Sequence, residues 1–253
     1  MELRNKTIVI TGGAQGLGLA MAERLASLGA NLALVDMQQT ALTEAKQSLA
    51  SFNNRVETYV ANVSQEAEVE ATFAKINADF NGLDGLINNA GILRDGMFIK
   101  AKEGKVVGKM SLEQFQSVID VNLTGVFLCG RDAAHHMIEN GQGGVIINMS
   151  SVARSGNMGQ TNYSASKAGV VAMTTTWARE LGRFGIRVGA IAPGVIRTAM
   201  TDAMKPEAKE RMIAMKPVGR FGEADEIAHT AQYIFENDFF TGRVVEIDGG
   251  IRL

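Results

Sequence analysis

Short apolar runs alternate with longer stretches of helical periodicity along the whole chain. The runs at Thr7–Thr11, Asn31–Val35, Val56–Ala61, Gly85–Asn88, Gly144–Met149, Arg187–Ala192 and Val244–Ile247 are rich in Val and Ile. Most lack strict alternation, the pattern of strands covered on both faces. Between them lie amphipathic stretches at Leu17–Leu28, Gln39–Phe52, Ala67–Phe80, Leu112–Ile138, Tyr163–Phe184 and Ala224–Glu236. Ser111, with Gln114 three residues on, has the form of a capping box opening the fourth helix. Parallel neighbours require crossover helices, so this order predicts an α/β fold: a doubly wound, seven-stranded parallel sheet with helices on both faces.

Two segments break the rhythm. Residues 93–110 carry several Lys and Arg side chains with Gly104 and Gly108, and predict a surface excursion. Residues 196–222 form a long connection of the kind that covers a site as a lid. No linker or shift in composition divides the chain. It is read as one domain over 1–253, with a dinucleotide-binding half to about 150 and a catalytic half after it.

Composition narrows the function classes. The start, Met1 to Lys6, is charged and has no apolar core, so no signal peptide is read there. No stretch reaches the length of a membrane span. A net charge of −2 without a long basic run argues against nucleic acid as the main partner. The single Cys129 excludes an internal disulfide and suits a reducing, cytoplasmic setting. His135 and His136 are adjacent on a predicted helix and His229 is remote, so no metal-ligand spacing is recognised. The thirteen Met residues are scattered and read as core filler.

The first strand ends in Thr11-Gly12-Gly13-Ala14-Gln15-Gly16-Leu17-Gly18 and a helix follows at once. Gly12 permits a tight turn, Gly16 removes a Cβ where a pyrophosphate would approach, and Gly18 lets the helix pack closely on the sheet. The helix N-terminus offers N–H groups to phosphates. Asp36, ending the second strand, can accept hydrogen bonds from both adenosine ribose hydroxyls and would repel a 2′-phosphate. Gln15 and Met37 are neutral where a phosphate would need a cation, so NAD(H) is favoured over NADP(H).

Tyr163 and Lys167 are four apart, on one face of a helix. An ammonium beside a phenol stabilises the phenolate and brings its pKa down towards neutrality. Together with these two, Thr11-x6-Gly18, Asn88-Asn89-Ala90-Gly91, Asn122, Ser150-Ser151 and Pro193-Gly194 occur in order across the chain. The set resembles the short-chain dehydrogenase/reductase family, and within it the 3-oxoacyl-(acyl carrier protein) reductases and their acyl-CoA-using relatives.

That resemblance implies a Rossmann-like fold and specific roles. Tyr163 exchanges a proton with the substrate oxygen, and Lys167 lowers the tyrosine pKa and holds the nicotinamide ribose hydroxyls. Asn122 orders a water joining Lys167 to solvent, and a serine hydrogen-bonds the substrate oxygen. Counting from the fifth strand of the sheet that serine is Ser151; counting back from Tyr163 it is Ser150; Ser151 is preferred because strand ends are better fixed than loops. Asn89, Ala90 and Gly91 lie against the adenosine side of the cofactor, with Asn62 and Val63 beside the adenine. Pro193, Gly194, the Ile196 backbone and the Thr198 hydroxyl hold the carboxamide.

The implied substrate is a 3-oxoacyl thioester, on acyl carrier protein or CoA. Other readings are dehydrogenation of a hydroxyacyl-CoA, sugar alcohol or steroid, and, from a different class, a silent nucleotide-binding module. Two features depart from the carrier-protein reductases: Asp36, where most use NADPH, and Glu139-Asn140-Gly141-Gln142, where carrier-docking residues tend to be basic. The resemblance also implies a homotetramer, with the last strand and the Thr241–Leu253 ending packing across a two-fold axis.

Overall fold

A computed structural model describes residues 1–197, 201 and 206–251. The strands are β1 (Thr7–Thr11), β2 (Asn31–Asp36), β3 (Val56–Val60), β4 (Gly85–Asn88), β5 (Ile99–Lys102), β6 (Lys105–Lys109), β7 (Gly144–Met149), β8 (Ile186–Pro193) and β9 (Val244–Ile247). The α-helices are α1 (Gly16–Ser27), α2 (Gln39–Ser48), α3 (Glu66–Phe80), α4 (Leu112–Ile119), α5 (Gly125–Asn140), α6 (Thr161–Leu181), α7 (Pro206–Ala214) and α8 (Ala224–Glu236).

Seven strands form one sheet in the order β3-β2-β1-β4-β7-β8-β9, and every pairing in it is parallel. The doubly wound expectation holds. The direction in which successive strands are added reverses between β1 and β4, and Thr11 lies opposite both Val35 and Asn88. A crevice opens there, at the carboxyl ends of the strands.

Side chains alternate between two buried layers. Ile8, Ile10, Leu32, Leu34, Ile147 and Ile191 pack against α1 and α8. Val9, Ala33, Leu86, Ile146 and Val188 pack against α3 and α5. Phe235 and Phe73, each fully buried, anchor one layer apiece. Burying a side chain of that size is worth about 2–3 kcal/mol. A polar ladder crosses the second layer: Asn88 Nδ2 donates to Asn148 Oδ1 at 2.9 Å, and Asn148 Nδ2 to Thr174 Oγ1 at 3.0 Å. Thr174 Oγ1 in turn donates to Val170 O at 2.9 Å. β4, β7 and α6 are thereby keyed together.

The structure differs from, or adds to, the sequence pattern at five places. Leu112–Ile138 is not one regular helix: residues Asp120–Thr124 make a π turn between α4 and α5, in which the Gly125 N–H donates to Asp120 O. The ends expected to continue α2 and α6 tighten into 3₁₀ turns at Leu49–Phe52 and Gly182–Phe184, each stopped by a left-handed residue, Asn53 or Gly185. The 93–110 excursion is an antiparallel β5–β6 hairpin, turned by Glu103 and Gly104 at φ +51° and +75°. Those angles match the two-residue turns that suit strand twist. The 196–222 connection contains the helix α7.

Candidate active site

The first turn of α6 is pinned by Asn162, fully buried. Its Oδ1 accepts from the Tyr163 N–H at 2.8 Å, and its Nδ2 donates to Arg94 O at 2.9 Å and Gln114 O at 3.2 Å. One turn later Lys167 reaches the end of β7, where Nζ donates to Met149 O at 2.7 Å. The two serines after that strand diverge. Ser150 also lines the cleft, but it is buried and its Oγ is committed to Lys167 O at 3.0 Å. Ser151 lines the same cleft as Tyr163 and its hydroxyl favours the phenolate, lowering the phenol's pKa; its Oγ accepts from Ala153 N at 3.1 Å, capping a 3₁₀ turn. Of the two hydroxyls, Ser151 is the one that bears on the phenol's pKa.

Burial raises the Tyr163 phenol above its usual pKa, partly opposed by the Ser151 hydroxyl, with Asp95 raising it further. The Lys167 Nζ is 5.7 Å from the centre of the tyrosine ring and donates to the Met149 carbonyl. Burial brings the Lys167 ammonium down to about 8.

Tyr163, Lys167, Ser151, Leu17, Pro193, Gly194 and Ile196 line a cleft of about 600 Å³. A second cleft of about 390 Å³ is lined by Gly12, Gln15, Asp36, Asn62, Val63 and Ala90. Asn89, Gly91 and Ile92 belong to the walls of both, so the two are continuous. Thr198 lies outside the described residues.

The combined trough fits an extended dinucleotide. Gln15 provides no side-chain cap and the first turn of α1 has no acid, leaving its N–H groups open to an anion. Gly16 has φ +56°, and a Cβ there would meet nothing within 4 Å. Asp36 Oδ1 accepts from Gln38 N at 3.1 Å, and no Lys or Arg is among the residues lining that end of the trough.

Gly18 serves differently from expectation. A Cβ on it would lie 2.0 Å from Gly12 O and 2.8 Å from Asn89 Nδ2, so it packs against the turn rather than the sheet. Asn62 is partly committed: its Oδ1 accepts from Ser64 Oγ at 2.8 Å. Asn122, fully buried in the π turn, grips Ile92 at both backbone groups, donating to O at 2.9 Å and accepting from N at 2.8 Å. Its Oδ1 and the Lys167 Nζ both lie beside Gly91.

Other contributors carry little signal in one sequence. Thr11 Oγ1 accepts from the Asn89 and Ala90 N–H groups at 3.0 and 3.2 Å, tying β4 to the glycine turn. Arg94 lines the catalytic cleft. His135 and His136 do not point apart as adjacency suggested. Their rings are 5.0 Å apart, and with Glu139 they offer ligand atoms within 4.8 Å of one another, on the outside of α5.

Parallel sheet, glycine turn and Ser-Tyr-Lys cleft together define a nicotinamide-dependent oxidoreductase, and the chain belongs to the short-chain dehydrogenase/reductase family. A family model described as enoyl-(acyl carrier protein) reductase matches residues 12–252. The chain is 38% identical to a 3-oxoacyl-(acyl-carrier-protein) reductase of Thermotoga maritima, covering 99% of both chains. It is 36% identical to a hydroxy(phenyl)methylsuccinyl-CoA dehydrogenase subunit of Thauera aromatica, over 99% of this chain and 98% of that one. Among solved structures, levodione reductase superposes with a TM-score of 0.88 at 38% identity, covering 98% of this chain and 97% of that one.

Proposed function

We infer that the chain uses NAD(H) to interconvert a ketone and a secondary alcohol, and that its substrate is a 3-oxoacyl thioester. The observation that carries the reaction is that Ser151, Tyr163 and Lys167 line one cleft continuous with the trough ending at Asp36. When bound, the nicotinamide supplies or accepts hydride; the protein supplies position and a proton. In reduction the Tyr163 phenol gives its proton to the carbonyl oxygen, which also accepts a hydrogen bond from Ser151 Oγ–H. In oxidation the proton returns along the same path. Lys167, with one donor engaged by Met149 O, has two left for ribose hydroxyls and a water held near Asn122.

Asp36 supports NAD(H). A 2′-phosphate would face a carboxylate with no lining cation, a like-charge contact in a partly dehydrated site. The thioester reading rests on the Thermotoga maritima relative, and the Thauera aromatica relative supports CoA as an alternative carrier of the acyl group. The family resemblance supports a homotetramer, and the lone, buried Cys129 a cytoplasmic setting. No helix among the described residues is long and apolar enough to cross a membrane.

The test is kcat/KM for a series of 3-oxoacyl thioesters, each with NADH and NADPH. At least a ten-fold preference for NADH is expected, diminished in Asp36→Ala. Equal use of the two cofactors overturns the NAD(H) reading, and turnover of simple ketones but of no thioester overturns the substrate.

A further inference from the structure

The β5–β6 hairpin has no part in the sheet or its core. Its root is fastened to the rim of the catalytic cleft. Gly96 N donates to Gly159 O at 2.8 Å, Gln160 Nε2 to Asp95 Oδ2 at 2.9 Å, and Gln114 Nε2 to Arg94 O at 2.9 Å. Gln160 and Asn162 stand just ahead of Tyr163, so the segment that places the tyrosine also places the hairpin. At about 3.3 Å per residue its strands carry the tip about 15 Å from that root.

Its two faces differ in chemistry. Register pairs Lys100 with Gly108 and Lys102 with Lys105 on one face, and Ile99 with Lys109 and Ala101 with Val106 on the other. Like charges directly opposite each other destabilise a strand pair, and an isolated two-stranded ribbon is marginal in water. Lysines elsewhere on the surface are matched: Lys6 with Asp84, Lys46 with Glu57, Lys75 with Asp79. Among the described residues, Lys100, Lys102, Lys105, Lys109 and Arg94 have no carboxylate within ion-pair distance. Five cations against Asp95 and Glu103 make this segment strongly positive in a chain of net charge −2. Phe98, on the side of Lys100 and Lys102, is 68% exposed, and Val106 and Val107 towards the other face are 67% and 63% exposed.

We propose that the β5–β6 ribbon is the docking surface for an acidic carrier protein that presents the acyl thioester to the cleft. This rests on the thioester reading above. The lysine face complements an acidic surface, and its position at the rim holds such a partner beside Tyr163. A free phosphate-bearing thioester would satisfy the lysines but leave Phe98, two residues before Lys100 on the same side of the ribbon, in water; a protein covers both.

The experiment compares one 3-oxoacyl group delivered on acyl carrier protein, on CoA and on N-acetylcysteamine, using the full-length enzyme and the triple variant Lys100→Ala, Lys102→Ala, Lys105→Ala. Expected is at least a ten-fold rise in KM for the carrier-bound substrate. The salt dependence of that KM is lost, while the N-acetylcysteamine and CoA thioesters stay within about three-fold of the unmodified enzyme. A milder pair, Lys100→Gln with Lys102→Gln, gives a smaller rise in the same substrate alone. An unchanged carrier KM overturns the proposal, and an equal loss with CoA overturns it in favour of phosphate recognition. A loss of the N-acetylcysteamine reaction in both variants also overturns it, because the ribbon then supports the cleft itself. If the unmodified enzyme reduces no thioester in any of the three forms, the substrate reading has failed first.

Discussion

At the scale of single residues, Tyr163 and Lys167 pull in directions that the four-residue spacing does not reveal. Both are removed from water, which raises the phenol and lowers the ammonium. Tyr163→Phe is expected to cost about 10²–10⁴-fold in kcat, the usual range for a general acid, with NADH binding retained when followed by fluorescence. A raised phenol stays protonated through neutrality. Reduction therefore runs flat from about pH 6 to 8, whereas oxidation, which needs the phenolate, climbs with pH; opposite slopes in the two directions would refute the assignment. Lys167 carries a stability consequence with a definite sign. Its native pKa, about 8, lies below the ordinary 10.5. The unfolded chain thus holds the proton more tightly, and the penalty is full below about 8 and fades as pH rises through 10.5. Lys167→Met should therefore gain stability in urea unfolding at pH 7, on the order of 1–3 kcal/mol after losing the bond to Met149 O. The gain should shrink at pH 9.

Elements were legible where physics is local. β1, β4 and β7 begin and end at the residues their apolar runs indicate, since a strand buried on both faces announces itself by composition. The glycine turn, with Asp36 one strand away, could be read for the same reason. The π turn was hidden because one extra residue in a helical turn leaves the apolar pattern on either side intact, yet it buries Asn122 beside the cleft. Likewise the hairpin was read only as an excursion. Its lysines conceal strand alternation, and the usable signal was Glu103-Gly104 between Val- and Lys-bearing arms. The choice between Ser150 and Ser151 needed coordinates, because adjacent residues leaving a strand face opposite ways. Gly18 offers a test at this scale. A methyl group there would sit 2.0 Å from Gly12 O. Gly18→Ala should lose about 1–3 kcal/mol of stability and at least ten-fold in NADH affinity, measured by urea unfolding and by fluorescence titration. If both stay unchanged, the turn is not as tightly packed as described.

For the whole molecule, every described residue expected to touch cofactor or substrate comes from the carboxyl ends of the sheet strands or the turns after them, apart from those on α1 and α6 and in the π turn. Light scattering at micromolar concentration should give a mass near four times the 27.0 kDa of one chain. A monomeric value would refute the tetramer. The ladder Asn88–Asn148–Thr174 has a further mechanical consequence. Amide groups cut off from water hold together only at one alignment, since any slip strands a donor in an apolar layer. The ladder therefore works as a dovetail between the nucleotide trough, built on β1 and β4, and the helix carrying the proton donor. Sliding one past the other is forbidden in small steps, so the distance from dinucleotide to phenol is set when the chain folds, before any ligand arrives.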